Sequence, residues 1–209
     1  MKYPLHHIGI IRGFDNKSKK KHYGIDFGWH GEKHAPVYAI ADGEIIYIKY
    51  QLTGGYTIRI KHYKTKKGYV YSEYGHLQKG SIKVKVGDKV KMYQRIANMG
   101  DTGMASGCHL HLTMYFDKYA NKNKVNPLDY LCLYNDQEVS KTTKDNYRIY
   151  KTKKVSGCEE LNIRNKPNTK GKVVGTAKKG EQVESYGVEK GWNIVDNLRD
   201  YYCSNNYLK

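Results

Sequence analysis

His109-Leu-His-Leu-Thr-Met-Tyr-Phe116 is the stretch on which the fold turns. Side chains on a β-strand alternate between two faces, so positions two apart look the same way. His109 and His111 then share one face, while Leu110 and Leu112 point into a core. The β-branched and aromatic residues that follow support a strand. A second segment, His22-Tyr-Gly-Ile-Asp26, carries two polar residues four apart. Gly24 and Gly28 weaken a helix there, and Tyr23, Ile25 and Phe27 alternate with the polar positions, so this segment also reads as extended. Together the two segments offer histidines and an aspartate. Two histidines and one aspartate would make the three-ligand set of a catalytic zinc, whose fourth position is kept for water.

From Pro36 to about Phe116 the pattern is short strands cut by glycine turns. Strands are expected over Val37 to Ala41, Glu44 to Tyr50, Tyr56 to Tyr63, Gly68 to Tyr74, Ser81 to Val86 and Val90 to Met99. Asp42-Gly43, Gly54-Gly55 and Gly87-Asp88 fall where turns belong. No helical periodicity interrupts them, which predicts an all-β protein. Between Tyr134 and Asn146 the chain is polar without apolar alternation and reads as a linker. Beyond it, short strands spaced through about sixty residues predict a small barrel. The expected organisation is therefore a first domain over 1–134, a linker over 135–146 and a second domain over 147–209.

The chain has 209 residues and a formal charge of +17. Up to residue 140 there are 22 basic and 12 acidic residues, and after it 15 and 8, so neither part is merely a basic tail. Such a surface favours polyanions, which include nucleic acids and the phosphate-bearing polymers of bacterial walls. The basic residues are mostly scattered Lys, densest from Lys17 to Lys21, and no zinc finger, basic helix or RNA-recognition signature accompanies them, so no nucleic-acid partner is expected. No apolar run has the length of a signal peptide or a membrane span. The four cysteines form no Cys-x-x-Cys pair, which points to free thiols and leaves a Cys158–Cys203 disulfide open.

The interval between the two ligand segments adds Tyr71-Ser-Glu-Tyr-Gly-His76-Leu77 at the end of an expected strand. Across this domain the blocks His22-x-x-x-Asp26-Phe-Gly, Ala35-Pro-Val-Tyr-Ala-Ile-Ala-Asp-Gly43, Ile58-Arg-Ile-Lys-His62, Tyr74-Gly-His-Leu77, Val84-Lys-Val-Gly-Asp-Lys-Val90, Gly100-Asp-Thr-Gly103 and Cys108-His-Leu-His111 occur in order. In this the chain resembles the lysostaphin-type zinc endopeptidases of bacterial cell walls. The resemblance implies an antiparallel β-sheet metallopeptidase domain with Zn2+ held by His22, Asp26 and His111. It implies His76 and His109 as catalytic groups beside the metal, His109 as base or water-orienting group and His76 at the oxyanion or leaving amine, the two roles being exchangeable. Peptide bonds of peptidoglycan stems or cross-bridges are the implied substrate. Where the family usually has Pro before the His-x-His and Phe-Glu after it, this chain has Cys108 and Leu112-Thr113. Cys108 raises a rival chemistry, a cysteine peptidase, but adjacent strand residues face opposite ways and Cys108 is poorly placed to pair with His109. His6, His7, His30, His34 and His62 match no ligand position and are expected in solvated or hydrogen-bonding roles.

The second domain, with Leu161-Asn-Ile-Arg164, Pro167, Val174-Gly-Thr176, Gly180, Gly191-Trp192 and Tyr207-Leu208, resembles bacterial SH3-type wall-binding domains. Most of Trp192, Tyr202 and Tyr207 are expected in the barrel core. Asn162, Arg164 and Tyr186 are weaker candidates for wall contacts. The pairing looks like a phage endolysin, made in the host cytoplasm and acting on the peptidoglycan of a Gram-positive wall with its anionic polymers. A secreted autolysin or bacteriocin of the same chemistry, and an inactive wall-binding protein, are the alternatives.

Overall fold

The computed structural model describes residues 1–28, 32–65, 67–132, 138–139, 151–185, 188–189, 191–195 and 202–209. The chain divides into two compact units, Met1–Leu128 with Tyr134–Tyr147, and Asp129–Leu133 with Arg148–Lys209. No α-helix occurs among the described residues; three short 3-10 turns are the only helical elements there.

Strands of the first unit are β1 (His7–Ile8), β2 (Ile10–Arg12), β3 (Ile25–Phe27), β4 (Pro36–Tyr38), β5 (Gly43–Gln51), β6 (Gly55–Thr65), β7 (Gly68–Leu77), β8 (Lys89–Val90), β9 (Arg95–Asn98), β10 (Leu110–Phe116), β11 (Lys124–Val125) and β12 (Glu138–Val139). The main sheet runs β2-β3-β10-β7-β6-β5-β8, with β11 also pairing β10, and every pairing in it is antiparallel. One face of this sheet is core. Leu110, Leu112 and Met114 on β10, Ile58 and Ile60 on β6, Tyr74 on β7 and Ile45 on β5 are all fully buried. The opposite face carries His111 on β10, opposite Asp26 on β3 and Gly75 on β7.

The strand reading holds for β5, β6, β7 and β10, with two corrections. Ser81 to Val86 forms no strand, and Val90 to Met99 is split into β8 and β9. The split has a cause: Tyr93 adopts a φ of 63°, a left-handed conformation that a continuous strand cannot contain. β4 and β9 then pair with each other as a separate two-stranded ribbon, so Asp42-Gly43 is no hairpin turn. Gly54-Gly55 does close the β5–β6 hairpin, with Gly55 at φ 63°. Of the expected linker, the described residues are Glu138–Val139, which lie parallel to β1; the rest falls outside the described residues.

On the core side the sheet holds a closed polar chain. The rings and hydroxyls run from the Asp42 carbonyl to His62 Nδ1 (2.9 Å), from His62 Nε2 to Ser72 Oγ (2.7 Å), from Ser72 Oγ to Tyr74 Oη (3.2 Å), and on to the Ile40 N–H, which donates to Tyr74 Oη at 2.9 Å. Burial pushes the His62 imidazole down to about 4, against the partly offsetting bond to Asp42. This histidine is therefore structural.

The second unit contains β13 (Lys151–Lys154), β14 (Glu160–Arg164), β15 (Val173–Lys178), β16 (Gln182–Ser185), β17 (Val188–Glu189), β18 (Trp192–Ile194) and β19 (Tyr202–Ser204). A five-stranded sheet of order β15-β14-β19-β18-β17 accompanies the β13–β16 pair. Val155, Leu161, Ala177, Val183 and Cys203 form its core, with Cys158 packed against them; Cys158 and Cys203 are both thiols. Tyr202 is buried and Trp192 packs on the cluster it forms with Cys132 and Ile194, but Tyr207 is 40% exposed and stands outside the core. Tyr207, Trp192, Asn162 and Arg164 instead line a groove of about 330 Å³. Tyr186 lies outside the described residues.

Because the folded state resists protonating His62 while the unfolded chain takes up that proton near 6.5, stability is expected to fall as pH drops from about 6.5 towards 4. The contribution is on the order of 3 kcal/mol. Denaturant unfolding of wild type and His62→Gln across that window checks it: the variant should be less stable at neutral pH and lose less on acidification. Parallel curves for the two proteins would refute the assignment.

Candidate metal centre

Three donor atoms converge on the outer face of the sheet. His22 Nε2 lies 3.1 Å from Asp26 Oδ1 and 3.2 Å from His111 Nδ1, and His111 Nδ1 lies 2.7 Å from the same carboxylate oxygen. Register brings two of them together, since His111 and Asp26 are cross-strand partners of β10 and β3. His22 enters from a loop closed by paired backbone bonds with Asp15, at 2.6 and 2.7 Å. The Lys17 to Lys21 run is the exposed turn of that loop. A Cβ on Gly24 would stand 2.6 Å from His111 Nε2, so only glycine lets the chain between His22 and Asp26 pass this close.

Each ring has its other nitrogen tied down, which fixes what it presents to the centre. His22 Nδ1–H donates to the Gly13 carbonyl at 2.7 Å, leaving the Nε2 lone pair inward. His111 Nε2 bonds Thr113 Oγ1 at 3.0 Å, leaving Nδ1 inward. Two lone pairs and a carboxylate oxygen thus face one another, an arrangement that a cation relieves. Burial works against the Asp26 charge, yet with no cation bound a proton on the inward nitrogen of His111 or His22 bonds the carboxylate strongly enough to outweigh it and hold the carboxyl well below the usual range. Zinc bonds of about 2.0–2.1 Å in a tetrahedron set donor atoms about 3.3 Å apart, close to the separations here, so the residues fit zinc.

Two further histidines border this triangle. His109 Nδ1–H donates to the Gly107 carbonyl at 2.9 Å, and its Nε2 stands 3.8 Å from Asp26 Oδ1. His76 Nδ1–H donates to the Thr102 carbonyl at 2.8 Å, and its ring centre is 4.5 Å from that of His109 and 6.0 Å from that of His111. Strand alternation alone would put His76 with Ser72 and Tyr74 on the core side. A φ of 59° breaks the alternation and brings the ring to the metal side. That left-handed conformation costs about 1–2 kcal/mol. It is held by the His76 N–H bond to the Gly54 carbonyl (2.6 Å) and by Thr102, whose Oγ1 in turn donates to the Leu77 carbonyl (2.7 Å). Gly55 makes the approach feasible, because a Cβ there would fall 2.3 Å from Thr102. Burial, with smaller contributions from His109 and His111, lowers the His76 pKa, so its ring is neutral at pH 7.

All five polar residues singled out in the sequence therefore meet at one place. His34 bonds the Met99 carbonyl at 3.2 Å and His7 meets Glu32 at 3.1 Å, away from the donor triangle, and His30 lies outside the described residues. Cys108 Sγ accepts the His34 N–H at 3.5 Å and bonds neither His76 nor His109, which removes the support for a thiol nucleophile. Sequence reasoning missed Thr113 and the carbonyls of Gly13, Thr102 and Gly107. Thr113 was within reach, since it shares the His111 face; a carbonyl leaves no trace in residue type.

The sequence pattern of Peptidase family M23 matches residues 20–127, and that of the bacterial SH3 domain matches 159–209. A glycyl-glycine endopeptidase of Staphylococcus capitis is 32% identical over 133 residues, covering 62% of this chain and 35% of its own length. Peptidoglycan DD-endopeptidase ShyB of Vibrio cholerae is 39% identical over 113 residues, covering 49% of this chain and 24% of its own. The chain spans only about a quarter to a third of these curated relatives. Among solved structures, the catalytic domain of the antimicrobial peptidase lysostaphin from Staphylococcus simulans superposes with a TM-score of 0.50 at 28% identity, over 58% of this chain and 90% of that one. The family match encloses every residue of the donor triangle and both flanking histidines within more than half of the chain, and the chain belongs to Peptidase family M23.

Proposed function

We propose that this chain is a zinc-dependent endopeptidase that cuts peptide bonds in bacterial peptidoglycan, targeted to the wall by its SH3 domain. The observation that carries the reading is the inward convergence of His22 Nε2, Asp26 Oδ1 and His111 Nδ1 beside two more histidines whose Nε2 atoms are left without a backbone partner. His22, Asp26 and His111 would hold the zinc, which when bound would supply a Lewis acid for a scissile carbonyl and lower the pKa of a water towards neutral. His109, its Nδ1–H fixed by Gly107, offers the Nε2 lone pair as acceptor for the proton of the attacking water. His76 has the same tautomer, fixed by Thr102. With the two rings 4.5 Å apart, a proton on one disfavours a second charge on the other, which favours handing it to the departing amine. Asp26 stays ionised throughout and offsets the positive charge that gathers around it.

The second unit supports action on an insoluble substrate. A tethered wall contact makes the encounter of catalytic domain and substrate effectively intramolecular and raises avidity by 10²–10⁴ without new catalytic contacts. The positive surface suits the anionic polymers of Gram-positive walls. An endolysin released onto the wall from inside the host is the setting proposed for this pairing; a holin gene beside its own would support it.

His22→Ala and His111→Ala should abolish zinc retention, whereas His76→Ala and His109→Ala should retain zinc and lose turnover by about 10²–10⁴. Metal analysis alongside turbidity loss of purified walls separates the two classes, and full lysis by a zinc-free variant would overturn the proposal. Thr113→Val, which deletes the acceptor on His111 Nε2, should weaken zinc binding about 10- to 100-fold in a chelator competition. Removing residues 141–209 should depress wall binding far more than hydrolysis of a soluble peptide; equal loss on both would assign the second unit a structural role instead.

A further inference from the structure

The metal donors occupy only the first row of the outer sheet face. Cross-strand register places Thr113, Glu73, Arg59 and Tyr47 in the next row and Lys124, Tyr115, Tyr71 and Lys61 in the row after it. Rows on one face are about 7 Å apart, so this surface begins about 7 Å from His111 and runs on for at least another 7 Å. Thr113, Glu73 and Tyr115 are themselves buried, so an extended peptide with one residue at the metal would meet the partly exposed side chains of Arg59, Tyr71 and Lys124 as it runs on.

Charges on this surface are not balanced. Glu73 is spent: one carboxylate oxygen is paired with Arg59 Nε, and the other accepts the Tyr119 hydroxyl at 2.9 Å. Arg59 is spent as well, with its guanidinium sandwiched 4.4 Å from the Tyr47 ring and 4.0 Å from the Tyr119 ring. Lys124 is the surplus cation. Its Nζ sits 4.6 Å from the Tyr119 ring centre and 5.3 Å from that of Tyr23, the residue next to the ligand His22. No carboxylate among the described residues forms an ion pair with it. The ammonium is half-buried between two aromatic faces, beside an Arg–Glu pair of no net charge. Partial desolvation outweighs the attraction of the Glu73 carboxylate, which is already paired with Arg59, and a bound anion reverses that balance.

We propose that Lys124, flanked by Tyr23 and Tyr119, is a specificity subsite for a carboxylate carried by the substrate peptide two to four residues from the cut bond. The inference deepens the peptidase reading and rests on it. It favours acidic stem peptides over an uncharged glycine bridge as the preferred substrate. Arg59, Glu73 and Tyr119 act as positioning residues: their ion pair and hydrogen bond hold the Tyr119 ring against the Lys124 ammonium.

The test uses octapeptides with an uncleavable reduced central bond, glycine elsewhere, and either Glu or Gln at the second, third or fourth position to either side. Calorimetry with the zinc-loaded full chain should show one Glu peptide binding about tenfold more tightly than its Gln counterpart. Lys124→Met should bring that ratio to about one, Lys124→Glu should invert it, and Lys124→Arg should keep most of it. A wild-type ratio near one at every position, or a ratio that survives Lys124→Met, would overturn the subsite. Lys124-dependent binding of poly(glycerol phosphate) in preference to every Glu peptide would overturn its assignment to a peptide carboxylate. Hydrolysis of purified walls by the same preparation reads the peptidase assignment separately: if walls are not cut while the ratio stands, the chemistry fails and the carboxylate site does not.

Discussion

The centre depends on one constraint, that each histidine ring can carry only so many protons. Gly13, Gly107 and Thr102 carbonyls each claim an N–H, and Thr113 takes the outer nitrogen of His111, so four rings turn their remaining nitrogen towards a single small volume. Two of these nitrogens stand within 3.2 Å of each other and share one carboxylate oxygen. In water such lone pairs would separate. Here the backbone holds them in place, so the favourable partner is a divalent cation rather than a rearrangement. The ligand atoms are selected by their second partners as much as by residue type.

Holding the rings requires local backbone conformations that an ordinary sheet avoids. His76 leaves the strand alternation through a left-handed φ, and Gly55 and Gly24 allow backbone to approach Thr102 and His111 at distances a Cβ would block. These features fall at the edge of β7, in the β5–β6 turn and just before β3, and the broad centre of the sheet is regular. The regular part, with Ile58, Ile60, Leu110 and Leu112 fully buried, supplies the rigidity that keeps the strained parts in position.

This division explains what the sequence discloses. Period-two alternation is a property of many residues at once, so β5, β6, β7 and β10 and the shared face of His109 and His111 were legible. The role of Gly54-Gly55 as a turn was legible too. What alternation could not show is where it fails. Tyr93 breaks the expected strand from Val90 to Met99 with a positive φ, although nothing about tyrosine announces one. His76 reached the site by the same kind of exception: parity would have placed it in the core, and it was singled out by its setting at a strand end and by the family resemblance. The carbonyl partners were invisible because every residue has one. Lys124 was hidden for a different reason, since its place on the metal face depends on the register of a two-residue strand with Tyr115.

The two faces of the main sheet carry polar groups of opposite character. On the core side, Asp42, His62, Ser72, Tyr74 and Ile40 form a chain in which the bonding groups satisfy one another, and burial keeps His62 neutral. A closed network of this kind has no capacity left for a ligand and serves to specify packing. On the outer side, the donor atoms of His22, Asp26 and His111 point at each other, two further Nε2 atoms look inward, and Lys124 faces rings rather than a carboxylate. Histidine occurs on both faces, His62 on one and His22, His76, His109 and His111 on the other, so residue identity alone does not separate structure from function here. Completeness of hydrogen bonding does: the polar cluster that satisfies itself stabilises the fold, and the one left incomplete by the backbone is where the proposed metal and substrate would bind.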